Sequence, residues 1–311
     1  MIVKKNIKIW KSRLVKTAVL GPRIACETTP FVLNDRLYRL ENHPRAFDFP
    51  LESPTFKPDE DEIRIREVES DRIISTPLRN HYFASGFVWD GRFYIFATPH
   101  ETGIRHIVML SSEDLINWTT PQIIITAKPG ERFFNTAVCR GKDKFVMIYE
   151  TNDKRWIPFT FIYCESDDLV HWTRITNAVY GKDKYVGGPS LYYEGGVYYT
   201  LYVNANEAVS EDQIIQSETN RYETRITRSS DLVNWEDAPV GRPFVSFNEN
   251  HRPDPEYHPD VYEINASDAE LCYWKGKTLV YFNGGNQQGV NDLQLAEFNG
   301  TPRELLEHYY E

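Results

Sequence analysis

SSEDLINWT (Ser111–Thr119), ESDDLVHWT (Glu165–Thr173) and RSSDLVNWE (Arg228–Glu236) are three copies of one pattern, Ser-x-Asp-Leu-x-x-Trp. Their tryptophans, Trp118, Trp172 and Trp235, stand 54 and 63 residues apart. That period fits one four-stranded blade of a β-propeller with its loops. Indole buries a large apolar area, so the three side chains are expected to pack at equivalent places in blades two, three and four.

Around these copies runs a second repeat: a strand, a polar turn, then a strand dense in Tyr, Phe and Ile. It reads FVLNDRLYRLE (31–41), FVWDGRFYIFA (87–97), AVCRGKDKFVMIYE (137–150), SLYYEGGVYYTLY (190–202) and ELCYWKGKTLVYFN (270–283). Asn34-Asp35, Asp90-Gly91 and Gly195-Gly196 are hairpin-turn chemistry. Five hairpins predict an all-β, five-bladed propeller of four-stranded antiparallel blades. It forms a single domain, 1–311, with blades near 22–76, 82–126, 133–180, 186–246 and 266–300. Helical periodicity is confined to PRELLEHYY (302–310). A propeller must not leave its last blade open, so a strand from Ile7–Leu20 or Asp292–Phe298 is expected to close it.

Aromatic residues make up 14% of the 311-residue chain, enough to serve both strand packing and sugar stacking. The net charge of −10 argues against nucleic acid as a partner. No run of 18 apolar residues is present, so no membrane span is expected. The basic start MIVKKNIKIWKSRLVK lacks the apolar stretch of a signal peptide. A cytoplasmic location is therefore expected, with a trimmed secretory signal as the alternative. Cys26, Cys139, Cys164 and Cys272 show no metal-type spacing and read as free thiols.

In a propeller the first strand of every blade lines the axis. The leading ends of the first strands therefore meet the trailing ends of the second strands on one face. The leading ends are Glu27-Thr28-Thr29, Ser85-Gly86, Asn135-Thr136, Gly187-Gly188-Pro189 and Ser267-Asp268-Ala269-Glu270. The trailing ends carry Glu41, His100, Glu150, Glu207 and Gln287. Loops on the same face add Arg79, His81, Arg132 and the long segment with His251, Arg252, Asp254, His258 and Asp260. Carboxylates, amides and imidazoles are the groups that recognise sugar hydroxyls. Each residue alone also has a plain reading as a solvated loop residue, and Glu41 and Glu150 share a scaffold reading. Convergence carries the expectation of a carbohydrate pocket.

The repeat placed after aromatic hairpins resembles the propellers of glycoside hydrolase families 43, 32, 117 and 130, over about residues 22–300. The resemblance implies a glycosidase, exo-acting on a terminal sugar of an oligo- or polysaccharide. Family 43 enzymes invert with three carboxylates at the leading ends of blades one, three and four. Matched onto this chain, the base falls at Glu27, the orienting Asp at Asn135 and the acid at Gly188. Two of the three places thus lack a carboxylate. By the resemblance the base is Glu27 and the acid is sought among His81, His100 and His258, with His81 preferred; Asp268 and Glu150, carboxylates of the same face, complete the expected catalytic set. Asn135, Arg132, Glu270, His100, Glu207, His258 and Gln287 are expected to bind substrate. Asp268 and Glu270, two apart in a strand, are expected to face one side. A non-catalytic sugar-binding propeller and a glycoside phosphorylase, using Arg79, Arg132 and Arg252, are the alternatives. No cofactor or catalytic metal is expected, although some of these propellers carry a structural cation. Oligomeric state is left open.

Overall fold

At each of four two-residue hairpin turns the backbone enters the left-handed region, which Asn, Asp and Gly adopt at least cost. Asn34 and Asp35 have φ of 50° and 57°, Asp90 and Gly91 of 49° and 71°, and Gly195 and Gly196 of 59° and 88°. The fourth turn, Lys275-Gly276, follows the same rule. These turns match the right-handed twist of the flanking strands and fix their register.

The computed structural model describes residues 10–44, 61–157, 159–205 and 221–311. Blade one comprises β2 (Glu27–Leu33), β3 (Arg36–His43), β4 (Glu62–Glu67) and β5 (Arg72–Arg79). Blade two comprises β6 (His81–Trp89), β7 (Arg92–Pro99), β8 (His106–Ser112) and β9 (Gln122–Thr126). Blade three comprises β10 (Phe133–Arg140), β11 (Phe145–Thr151), β12 (Thr160–Ser166) and β13 (Thr173–Tyr180). Blade four comprises β14 (Gly187–Glu194), β15 (Val197–Ala205), β16 (Tyr222–Ser229) and the short β17 (Glu236–Asp237). Blade five comprises β18 (Asn265–Trp274), β19 (Lys277–Asn283) and β20 (Asp292–Phe298), completed by β1 (Val15–Pro22).

Strands within a blade pair antiparallel in order; two parallel bridges, Tyr222 to Asn265 and Glu223 to Ala266, join blades four and five. The first strands pack in a closed ring, β2 on β6, β6 on β10, β10 on β14, β14 on β18 and β18 on β2. Both segments expected to close the last blade take part, because β1 pairs with β20 from Val15–Glu297 to Pro22–Asp292. The part of the first segment before residue 10 lies outside the described residues.

A hydrophobic core fills each gap between neighbouring blades. Blades one and two meet through Phe31 and Phe93, whose rings stack 3.7 Å apart. Trp118, Trp172 and Trp235 cover the cores between blades one and two, two and three, and three and four. The repeat explains how. Ser112, Ser166 and Ser229 accept the N–H of Leu115, Leu169 and Leu232 at 2.8, 3.0 and 2.8 Å. Those leucines turn left-handed, with φ of 63°, 67° and 64°, and each accepts the indole N–H of its Trp. Between blades four and five no such Trp is available, and helix α1 (Pro302–His308) inserts Leu305 and Leu306 instead. A capping box, Thr301 with Glu304, starts that helix.

Candidate active site

The register of each hairpin defines equivalent levels along the axis. Four residues before the last pair of each first strand stand Thr29, Ser85, Thr136, Ser190 and Glu270. Six residues before it stand Glu27, Phe83, Phe134, Gly188 and Asp268. The lower level is a belt of hydroxyls broken by one carboxyl. Thr29 donates to Glu270 at 2.9 Å, Ser85 and Thr136 bond at 2.9 Å, and Ser190 donates to the Ala269 carbonyl at 2.9 Å.

At the upper level, β2 is regular while the other four first strands carry a register shift. Phe83, Gly188 and Asp268 are left-handed there, with φ of 52°, 50° and 52°. Such bulges re-aim a side chain. At Gly188 the consequence is specific, since a Cβ would overlap the Asp268 carboxylate. Asp268 thus fills, from blade five, the space a side chain at Gly188 would need. The Gly188 N–H donates instead to Glu150, whose other oxygen accepts the Asn135 N–H at 3.3 Å. Glu27, Asn135, Thr136, Gly188, Asp268 and Glu270 surround a cavity of about 10 Å³, room for roughly one water molecule.

Four carboxyls therefore meet at the axis, and each holds its proton more tightly than usual. Burial and the charges of Asp268 and Glu150 push Glu27 well above the ordinary range. Burial, then Asp268, pushes Glu150 up to about 8. Burial raises Glu270 to about 8 against the bond from Thr29. Asp268 rises least, to about 6, because Ser267 and Asn283 donate to its anion. Among the described residues, the leading influences on these four include no Lys or Arg. Glu27 Oε2 is buried with no hydrogen-bond partner.

One wall is aromatic. Tyr82, Phe83, Phe134, Phe159 and Tyr185 form an edge-to-face chain with successive centroids 4.6, 5.6, 4.9 and 5.8 Å apart. All five are half-buried, and Tyr82, Phe83, Phe134 and Phe159 belong to none of the interblade cores. Phe83 and Phe159 hold left-handed backbone, φ 52° and 71°, a conformation that is strained for bulky residues and concentrates at functional sites. The hairpin register would have found Phe83 and Phe134 in HYFASG and FFNTAV. No repeat marks Phe159 or Tyr185.

The structure brings Glu27, Glu150, Asp268, Glu270 and Asn135 together, and separates other expected site residues from them. The imidazole of His81 faces the Arg79 carbonyl at 2.7 Å, and its charged neighbours are Glu101 and His100 rather than the carboxyls. His100 pairs with Asp61 at 3.0 Å. Arg132 is exposed, its backbone N–H on Asn152 at 2.7 Å. Gln287 donates to Asn265 at 3.0 Å, and His258 sits in the long loop with its N–H on the Asp254 carbonyl. Glu207 lies outside the described residues. Arg79 pairs with Glu62, and the exposed Arg252 donates to the Tyr262 hydroxyl at 2.7 Å. Asp268 and Glu270 line one cavity at different depths, since the bulge at Asp268 replaces simple alternation. Glu41 differs from its counterpart Glu150, being buried against Arg39 and Arg66.

No family model and no curated protein sequence matches the chain. Solved structures do. A thermostable family-43 glycoside hydrolase superposes with a TM-score of 0.63 at 11% identity, over 93% of this chain and 94% of that one. The catalytic domain of a Coprinopsis cinerea GH62 α-L-arabinofuranosidase gives 0.63 at 11% identity, over 93% and 99%. For Bacteroides ovatus xyloglucan PUL GH43B the score is 0.59 at 14% identity, and this chain spans only 54% of that longer protein. At such identities the likeness establishes architecture: the chain has the propeller fold of the family 43 and 62 glycoside hydrolases.

Proposed function

We propose that the chain is a glycosidase that removes a neutral terminal sugar by hydrolysis. The observation carrying this reading is the water-sized cavity bounded by two unequal carboxyls, Glu27 and Asp268. Two acids whose surroundings push their proton affinities apart are the requirement for acid–base glycoside cleavage. Among the four, Asp268 ionises first, because Ser267 and Asn283 support its anion. Glu27 has an unpartnered oxygen and stays protonated beside that charge. Asp268 then takes a proton from the attacking water while Glu27 gives its own to the departing glycosidic oxygen. This exchanges the roles the resemblance implies, where Glu27 was the base. Glu150 and Glu270 hold their protons more tightly than ordinary carboxyls, which lowers the negative charge of the pocket.

The same charge pattern favours a neutral substrate. A uronate or phosphate would meet a carboxylate whose leading influences, among the described residues, include no Lys or Arg, which counts against phosphorolysis. The aromatic wall on blades two to four suits the apolar face of a sugar ring. Exo action at a chain end is part of the same proposal, as the resemblance implies. Structurally similar proteins are named as arabinofuranosidases and an arabinanase, so arabinofuranosides are the first substrates to try. The test is a panel of nitrophenyl pentosides, hexosides and uronides. Turnover of a neutral glycoside is expected. Sugar binding without turnover of any member would replace hydrolysis by a binding function.

A further inference from the structure

Outside the pocket, three side chains converge where loop 246–264 meets blade five. His251 Nε2 lies 2.5 Å from Asp292 Oδ2 and 4.0 Å from Glu263 Oε2. One ligand atom from each residue falls within 4.8 Å of the others. The Glu263 and Asp292 side chains are fully buried, and that of His251 is 23% exposed. Burying two carboxylates together is costly unless matching positive charge is supplied.

Their protein partners supply little. Glu263 Oε1 accepts the Asn248 N–H at 2.5 Å and faces Lys16, which is partly exposed, at 3.4 Å. One amide, Gln294 Nε2, serves both Glu263 Oε2 and Asp292 Oδ1. Gly284 gives an independent indication. A Cβ there would overlap Asp292 Oδ1 and the Gln294 amide and stand 2.6 Å from Glu263 Oε2. Gly284 is not left-handed, so the chain direction does not require glycine. The space above it does.

We propose that His251, Glu263 and Asp292, with the Gln294 amide turned to present its oxygen, bind one divalent transition-metal ion of the Zn²⁺ class. Imidazole with a few carboxylate oxygens suits zinc, whereas calcium takes six to eight oxygens. The ion would neutralise both buried carboxylates and fasten the loop to blade five. The loop already touches that blade through Ile264 N–H on the Gly285 carbonyl at 2.8 Å.

The experiment uses the full chain, stripped by chelator and titrated with Zn²⁺, Mn²⁺ or Ca²⁺, with bound metal and melting temperature as readouts. About one Zn²⁺ per chain is expected, with a melting temperature higher by roughly 5 °C at saturation. His251→Gln should weaken binding about 100-fold. Gly284→Ala, which removes no donor, should do the same by filling the cradle. No uptake by the wild-type chain would overturn the site. Unchanged zinc affinity in both variants would also overturn it.

Discussion

The pocket and the three Ser-x-Asp-Leu-x-x-Trp loops use the same functional group to opposite ends. In the loops, Asp114, Asp168 and Asp231 each accept two backbone N–H groups, at 2.7–2.9 Å. Those donors hold the carboxyls well below their usual range, so the loops carry fixed anions. In the pocket the carboxyls are buried and crowd one another, and Glu27, Glu150 and Glu270 hold their protons more tightly than usual, Glu150 even while it accepts two backbone N–H groups. Burial beside other carboxyls in the pocket, against backbone donors on exposed loops, is what sets the two groups of acids apart.

The comparison breaks most readily at the reacting pair. Glu27→Gln and Asp268→Asn preserve size and remove the transferable proton, and each should lower kcat by roughly 10²–10⁴-fold. Near-normal turnover in either variant would remove that residue from the chemistry. Gly188→Ala should be nearly as damaging to activity, because its Cβ displaces the Asp268 carboxylate. A crystal structure of that variant with Asp268 unmoved would contradict the coupling.

Proton affinity gives a finer test. The folded chain binds the Asp268 proton more tightly, at about 6, against about 3.9 when unfolded. That residue therefore favours the fold at low pH, and the advantage is lost as pH rises from about 4 to 6. The loop aspartates have the reverse sign: their contribution is present above about pH 4 and lost as pH falls below it. Asp268→Asn should accordingly gain melting temperature relative to wild type between pH 4 and 6 and then level off. A constant difference across that window would refute the assignment. The acid limb of kcat/KM should likewise fall near pH 6. The smallest effect belongs to the loops, where Ser166→Ala removes a cap and should cost about 1 kcal/mol in denaturant unfolding.

The architecture was legible because it repeats. The Trp loops and the Asn-Asp, Asp-Gly and Gly-Gly turns are local chemistry, readable wherever they occur. The site was only partly legible because it depends on where repetition fails. Glu27, Glu150 and Asp268 could be found from their levels on the strands. That Asp268 reaches into the space of Gly188 could not, since a bulge and a positive φ leave no periodic trace. His81 looked equivalent to an acid by sequence position, yet its ring is turned to the Arg79 carbonyl. The cluster of His251, Glu263 and Asp292 draws on a loop and the third strand of a blade, and no spacing rule joins them.

Ring closure by β1 on β20 also sets a timetable for synthesis. Val15 finds its partner at Glu297, so β1 waits until β20 has been made. At 5–20 residues per second that wait is roughly 15–55 s. During it the nascent chain carries β1 unpaired, and four blades that cannot yet form a circle. Val15 and Val19 remain 59% and 52% exposed even in the finished fold, so that strand owes its place to its late partner rather than to any core of its own.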